Sequence, residues 1–104
     1  MYDIKFAIEE IDSFFDQGNK SFENYQANTL IKRAVERDLE VIGEATNRIL
    51  KEDPEFEIEN THRIVGLRNQ IIHGYDTVSD ENIWGVLINY LPRLKEEIKK
   101  LTGP

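Results

Sequence analysis

From Trp84 onward, Trp84, Leu87, Leu91, Leu94, Ile98 and Leu101 follow one another at alternating spacings of three and four. That rhythm belongs to an amphipathic helix burying one stripe against its neighbours. Three further segments keep helical spacing, and the in-out alternation of a half-buried strand occurs nowhere in the 104 residues. The chain is therefore expected to be all-α, an antiparallel four-helix bundle with a short extra turn between the first two helices. Its length fits one domain, residues 1–104, and allows a single core without help from metal or disulfide.

The first helix is expected from about Tyr2 to Phe15, with Ile4, Ile8, Ile11 and Phe15 on one stripe and Gln17-Gly18-Asn19 as its stop. Residues Lys20 to Asn28 read as a connector holding one short turn, in which Phe22 and Tyr25 are free to pack and no chemistry is expected. A second helix should start near Thr29, capped by Asn28 or Thr29, and run to Lys51 ahead of Asp53-Pro54. Its stripe is Ile31, Val35, Ile42, Ala45 and Ile49, with Leu39 alongside.

Asp38 falls on that apolar seam and Gly43 sits mid-helix, where glycine costs about 1 kcal/mol relative to alanine. Either could mark a close contact with another helix. Equally, Asp38 could lean to solvent and Gly43 could merely fit a tight crossing. A third helix is expected from about Asn60 to His73, with Gly74 as its C-terminal glycine, and a fourth after Ser79 or Asp80. Pro92 should kink the last one near Ile88 to Leu91.

Cysteine is absent, which removes disulfides, thiolate nucleophiles and thiolate metal sites. Met1-Tyr2-Asp3-Ile4-Lys5-Phe6 mixes charges with single apolar residues, unlike a signal peptide, and no apolar run nears the ~20 residues of a membrane span. A cytoplasmic protein with no membrane association is expected. The net charge of −7 opposes nucleic-acid binding at first sight. Yet Asn60 to Tyr75 holds Arg63 and Arg68 and no carboxylate, so this strip carries +2 and the rest of the chain −9.

Residues turn by ~100° along a helix, so His62, Gly66, Asn69 and His73 form one polar line on the third helix while Ile64, Leu67 and Ile71 face the core. Arg68 shares another stripe with Val65, Ile72 and Tyr75. Arg68 and His73 stand about 140° apart around the axis, so their cooperation needs a site shared between two chains or bending at Gly74. His73 alone would read as a helix-end histidine favoured by the negative C-terminal dipole. His62 lies ~16 Å from it along the axis, too far for shared chemistry within one chain.

A guanidinium holds two phosphate oxygens in a fork, and imidazole titrates near neutral pH. Together they suit RNA cleavage, in which a 2′-hydroxyl attacks phosphorus while a base and an acid move protons. That route needs no metal or other cofactor, and there is no His-x-x-x-His pair, Gly-rich phosphate loop or Ser/His/Asp arrangement.

Arg68-Asn69-x3-His73-x-Tyr75 resembles the Arg-x4-His-x-Tyr motif of HepT-like toxins in the HEPN ribonuclease superfamily. Ala34 to Ala45 is similar to that family's second-helix signature, and Ile64-Val65-Gly66-Leu67-Arg68-Asn69 to its lead into the motif. The resemblance continues through Asn82-Ile83-Trp84 and Leu91-Pro92-Arg93-Leu94, and so covers nearly the whole chain. Asn60-Thr61 departs from the Pro-Trp that relatives often carry at the helix entrance.

The resemblance implies a metal-independent endoribonuclease acting as the toxin of a toxin-antitoxin pair. Arg68 and His73 would be catalytic, Asn69 and Arg63 would position substrate, and Tyr75 would rim the site and accept AMP. It also implies a homodimer whose Arg and His line a common groove, and an MNT-type nucleotidyltransferase antitoxin as partner. The alternative is a non-catalytic HEPN dimer that binds and regulates the nucleotidyltransferase. A third reading makes His73 and Tyr75 purely structural.

Overall fold

The computed structural model describes residues 2–15, 20–55, 65–66, 68–69 and 79–102. Regular structure among them is entirely helical, as the spacing of apolar residues requires. Five helices have defined limits: α1 (Tyr2–Ser13), α2 (Phe22–Ala27), α3 (Thr29–Glu52), α4 (Asp80–Asn89) and α5 (Leu91–Thr102). Residues 65, 66, 68 and 69 are helical too. Most of the third helix expected from sequence lies outside the described residues. Among the described residues, no helix is long and apolar enough to cross a membrane.

Three helices, α2, α3 and α4, begin where a short polar side chain takes up a free backbone N–H. Ser21 Oγ accepts from Asn24 N at 3.2 Å to start α2, and Ser79 Oγ accepts from Asn82 N at 3.1 Å to start α4. Asn28 serves both sides of the α2–α3 junction. Its backbone N–H donates to Tyr25 O at 3.3 Å and its Oδ1 accepts from Ile31 N at 3.1 Å. Asp53, ahead of Pro54, ends α3 with its N–H on Ile49 O at 2.8 Å.

The connector between the first two expected helices thus holds a full six-residue helix rather than a single turn. The last expected helix is two helices, separated at Tyr90. Pro92 supplies the reason, because it has no N–H for the Ile88 carbonyl and its ring would collide with that oxygen. Ending α4 at Asn89 and restarting at Leu91 puts Pro92 in a first turn, where neither defect matters.

Ile4, Ala7, Ile8 and Ile11 of α1 are buried against α3, whose Val35, Leu39, Ile42 and Ala45 complete that half of the core. Asp3 meets Arg48 and Glu10 meets Asp38, so α1 and α3 run antiparallel. Ile83 and Leu87 of α4 and Leu91, Leu94 and Ile98 of α5 close the core from the other side. The C-terminal seam therefore turns slightly from its sequence reading: Ile83 is sealed in, Trp84 is half-buried and Leu101 is exposed.

Trp84 is the hub of the aromatic corner. Its ring lies 5.8 Å from Phe15, 6.3 Å from Phe22 and 5.6 Å from Tyr25, the first at 75° in the edge-to-face geometry that ring quadrupoles favour. These contacts pin α2 over the base of α4. Lys32 and Asp80, 3.0 Å apart, tie the starts of α3 and α4, and Lys95 and Asp12, 2.7 Å apart, tie α5 to α1. Solvent-accessible pairs of this kind contribute about 0–1 kcal/mol each, so the apolar core carries the fold.

Candidate functional site

The strip expected to carry chemistry is described at four positions, 65, 66, 68 and 69, and all are helical. Arg63, His73 and Tyr75, with His62, lie outside the described residues. Arg68 is half-buried and Asn69 exposed. Arg68 Nη1 donates to Asn69 Oδ1 at 2.8 Å, and Arg68 Nε is shielded from solvent with no hydrogen-bond partner. The two expected polar residues are thus joined to each other, although neighbours in a helix leave the axis about 100° apart.

Gly66 faces open space. A Cβ built there meets nothing within 4 Å, so no neighbour within the described chain demands glycine at this position. Gly43, by contrast, is buried inside α3. The gap on the polar line is therefore a surface notch about one turn before Asn69.

Asp38 does not lean to solvent. It is 7% exposed on the α1–α3 seam, and its Oδ2 has no hydrogen-bond partner. Burial first, then a hydrogen bond with Glu10 and the Glu10 charge, push its carboxyl up to about 7, against a smaller opposing effect of Arg37. Two carboxyl groups facing each other in a poorly hydrated seam favour holding a proton between them. The sequence marked Asp38 but not Glu10, although Glu10 lies three residues after buried Ala7 and so borders the same face.

Tyr25, expected only to pack, is fully buried with its hydroxyl unpartnered. Burial, followed by the charges of Asp80 and Glu36 and opposed by Arg33, raises its phenol well above the ordinary tyrosine value. It stays a neutral phenol under Trp84. Among the described residues, no group of three or more histidine, aspartate or glutamate side chains is placed to hold a metal ion.

A half-buried guanidinium tethered beside an exposed carboxamide is a donor-rich surface suited to phosphate. Which family builds such a helix is answered by comparison over the whole chain: residues 4–101 match the model of the family described as "Ribonuclease HepT-like". The chain belongs to the HepT-like family.

HepT-like relatives span bacteria and archaea. A protein of Caldanaerobacter subterraneus subsp. tengcongensis named "Putative RNase" is 29% identical over 97% of this chain and 86% of its own length. One of Methanocaldococcus jannaschii with the same designation is 33% identical over 97% of this chain and 83% of its own. A protein of Thermococcus cleftensis named "Probable ribonuclease HepT" is 32% identical over 95% of this chain and 89% of its own. No solved structure matches the chain. The matched range encloses residues 64–75, and with them Arg68, His73 and Tyr75.

Proposed function

We propose that this protein is a metal-independent endoribonuclease, the toxin of a toxin-antitoxin pair. The observation that carries the reading is the Arg68-x4-His73-x-Tyr75 spacing inside a chain that matches the HepT-like family from residue 4 to residue 101. Both residue types are the minimum that transesterification of RNA requires: a fixed cation for the phosphoryl oxygens and a group that exchanges protons near neutral pH.

In the proposed reaction the ribose 2′-oxygen forms a new bond to phosphorus and the bond from phosphorus to the 5′-oxygen breaks. A base takes the 2′-hydroxyl proton, an acid gives one to the departing 5′-oxygen, and the products are a 2′,3′-cyclic phosphate and a 5′-hydroxyl. Arg68 offsets the charge gathering on the non-bridging oxygens. The angle of about 140° between Arg68 and His73 is accommodated in a homodimer, where His73 of each protomer reaches one groove and the two imidazoles divide the base and acid roles. Arg63 and Asn69 help seat the strand. A group supplying its own proton transfers in this way needs no metal.

Tyr75, two residues beyond His73, is the proposed acceptor of AMP from an MNT-type nucleotidyltransferase antitoxin. AMP would bring negative charge and bulk beside His73 and exclude the RNA. The chain outside 60–75 carries −9, which favours a second reading in which the HEPN dimer binds the nucleotidyltransferase and cuts nothing. An oligoribonucleotide and the same strand with one 2′-deoxynucleotide at the cut position separate these. Transesterification predicts cleavage of the first and silence at the substituted position of the second. Cutting of the deoxy-substituted position would exclude this chemistry, and no cutting of either strand would favour the partner-binding reading.

A further inference from the structure

We propose that Asn69 works on Arg68 as a positioning residue: its carboxamide oxygen tethers the guanidinium. This rests on the ribonuclease reading above and assigns a division of labour within that site.

Arg68 Nη1 reaches Asn69 Oδ1 at 2.8 Å, the short distance of a charge-assisted bond. Side chains at adjacent helical positions diverge by about 100°, so Arg68 must fold sideways across the helix surface to make it. The polarity of the contact is fixed by chemistry. A guanidinium only donates, so the amide must turn its oxygen toward Arg68, and Nδ2 with its two N–H bonds then points along the other branch of the carboxamide.

Of the five guanidinium N–H bonds, one is spent on Asn69 and the Nε–H is sealed from solvent without an acceptor. Three Nη hydrogens remain. Holding the arginine in one arrangement before RNA arrives moves part of its side-chain entropy loss out of the binding step. Asn69 itself has no basic atom left to use: its oxygen is engaged and its nitrogen only donates. It cannot take the 2′-hydroxyl proton.

The test uses the full chain, shown by intact mass to carry no AMP, with kcat and KM measured on one oligoribonucleotide. Asn69→Ala should lower kcat roughly 10- to 100-fold with KM nearly unchanged, as misplacement of a clamp does. Asn69→Asp keeps the oxygen, so kcat should recover relative to Asn69→Ala while KM rises because the added charge repels RNA. In the Arg68→Ala background, measured in single turnover with enzyme in excess, Asn69→Ala should then cost less than about 3-fold, because a tether without its arginine does nothing. Full multiplication of the two losses would overturn the tether and make Asn69 a direct substrate contact, as would a loss confined to KM. Undiminished cleavage by Arg68→Ala would instead remove the ribonuclease reading on which the tether rests.

Discussion

Replacing Asp38 by asparagine should stabilise the protein more at pH 8 than at pH 5. In the folded chain the Asp38 carboxyl, sealed in the α1–α3 seam opposite Glu10 and flanked by Arg37, is pushed up to about 7, whereas an unfolded aspartate ionises near 3.9. The native state therefore holds a proton that the unfolded chain has released, and stability falls as pH rises through the interval between the two values. Whatever the protonated pair contributes is fully present below pH 4 and gone above 7. Each pH unit in that window is worth about 1.4 kcal/mol, so the two units from pH 5 to pH 7 amount to roughly 2 to 3 kcal/mol.

Asparagine keeps the shape, donates to the Glu10 carboxylate and cannot ionise. Urea unfolding of both proteins at one protein concentration, across pH 5 to 8, should show the stability difference widening in favour of Asp38→Asn by that amount and levelling above pH 7. A constant difference across the range would refute the reasoning, since it would mean that Asp38 ionises as it would in water and that the seam is hydrated.

Trp84→Ala should cost about 3–5 kcal/mol, because it removes the ring that Phe15, Phe22 and Tyr25 share, and thermal unfolding will read the loss directly. Ser79→Ala should cost about 1 kcal/mol by leaving Asn82 N without its cap, measurable as a lower urea midpoint with the slope unchanged. Gly66→Ala should stabilise the monomer by up to about 1 kcal/mol, since the added methyl meets nothing within 4 Å. If the homodimer closes over that notch, sedimentation will show the same variant dissociating at higher concentration than the native chain, and unchanged association would place the dimer surface elsewhere.

The helices were legible because burial of one face imposes a spacing that polar substitutions cannot imitate: Ile4, Ile8 and Ile11, or Leu87, Leu91 and Leu94, announce which side turns inward. What escaped was set by contacts across the chain. The segment Phe22–Ala27 is too short to declare a period, and it is helical because Ser21 caps it and Trp84 covers Tyr25. Pro92 announced a kink near Ile88 to Leu91, and at Tyr90 it is a full break, which leaves the ring in a first turn where it is tolerated.

Asp38 could be placed on the seam but not turned, because its surroundings depend on the register of α1 against α3, which no single-helix pattern encodes. The candidate site is read from its spacing alone. Arg68 and Asn69 stand out as a polar pair in the sequence, yet the bond between them runs against the direction in which helical neighbours point, so the pattern could list both without joining them.

Cleavage of RNA in EDTA by the chain bearing an unmodified Tyr75, set beside His73→Ala, tests the central claim most directly. The account predicts that cleavage persists without metal, leaves 2′,3′-cyclic phosphate and 5′-hydroxyl ends, and falls at least about 100-fold in His73→Ala. Equal cleavage by His73→Ala, or none from the AMP-free native chain, would contradict it.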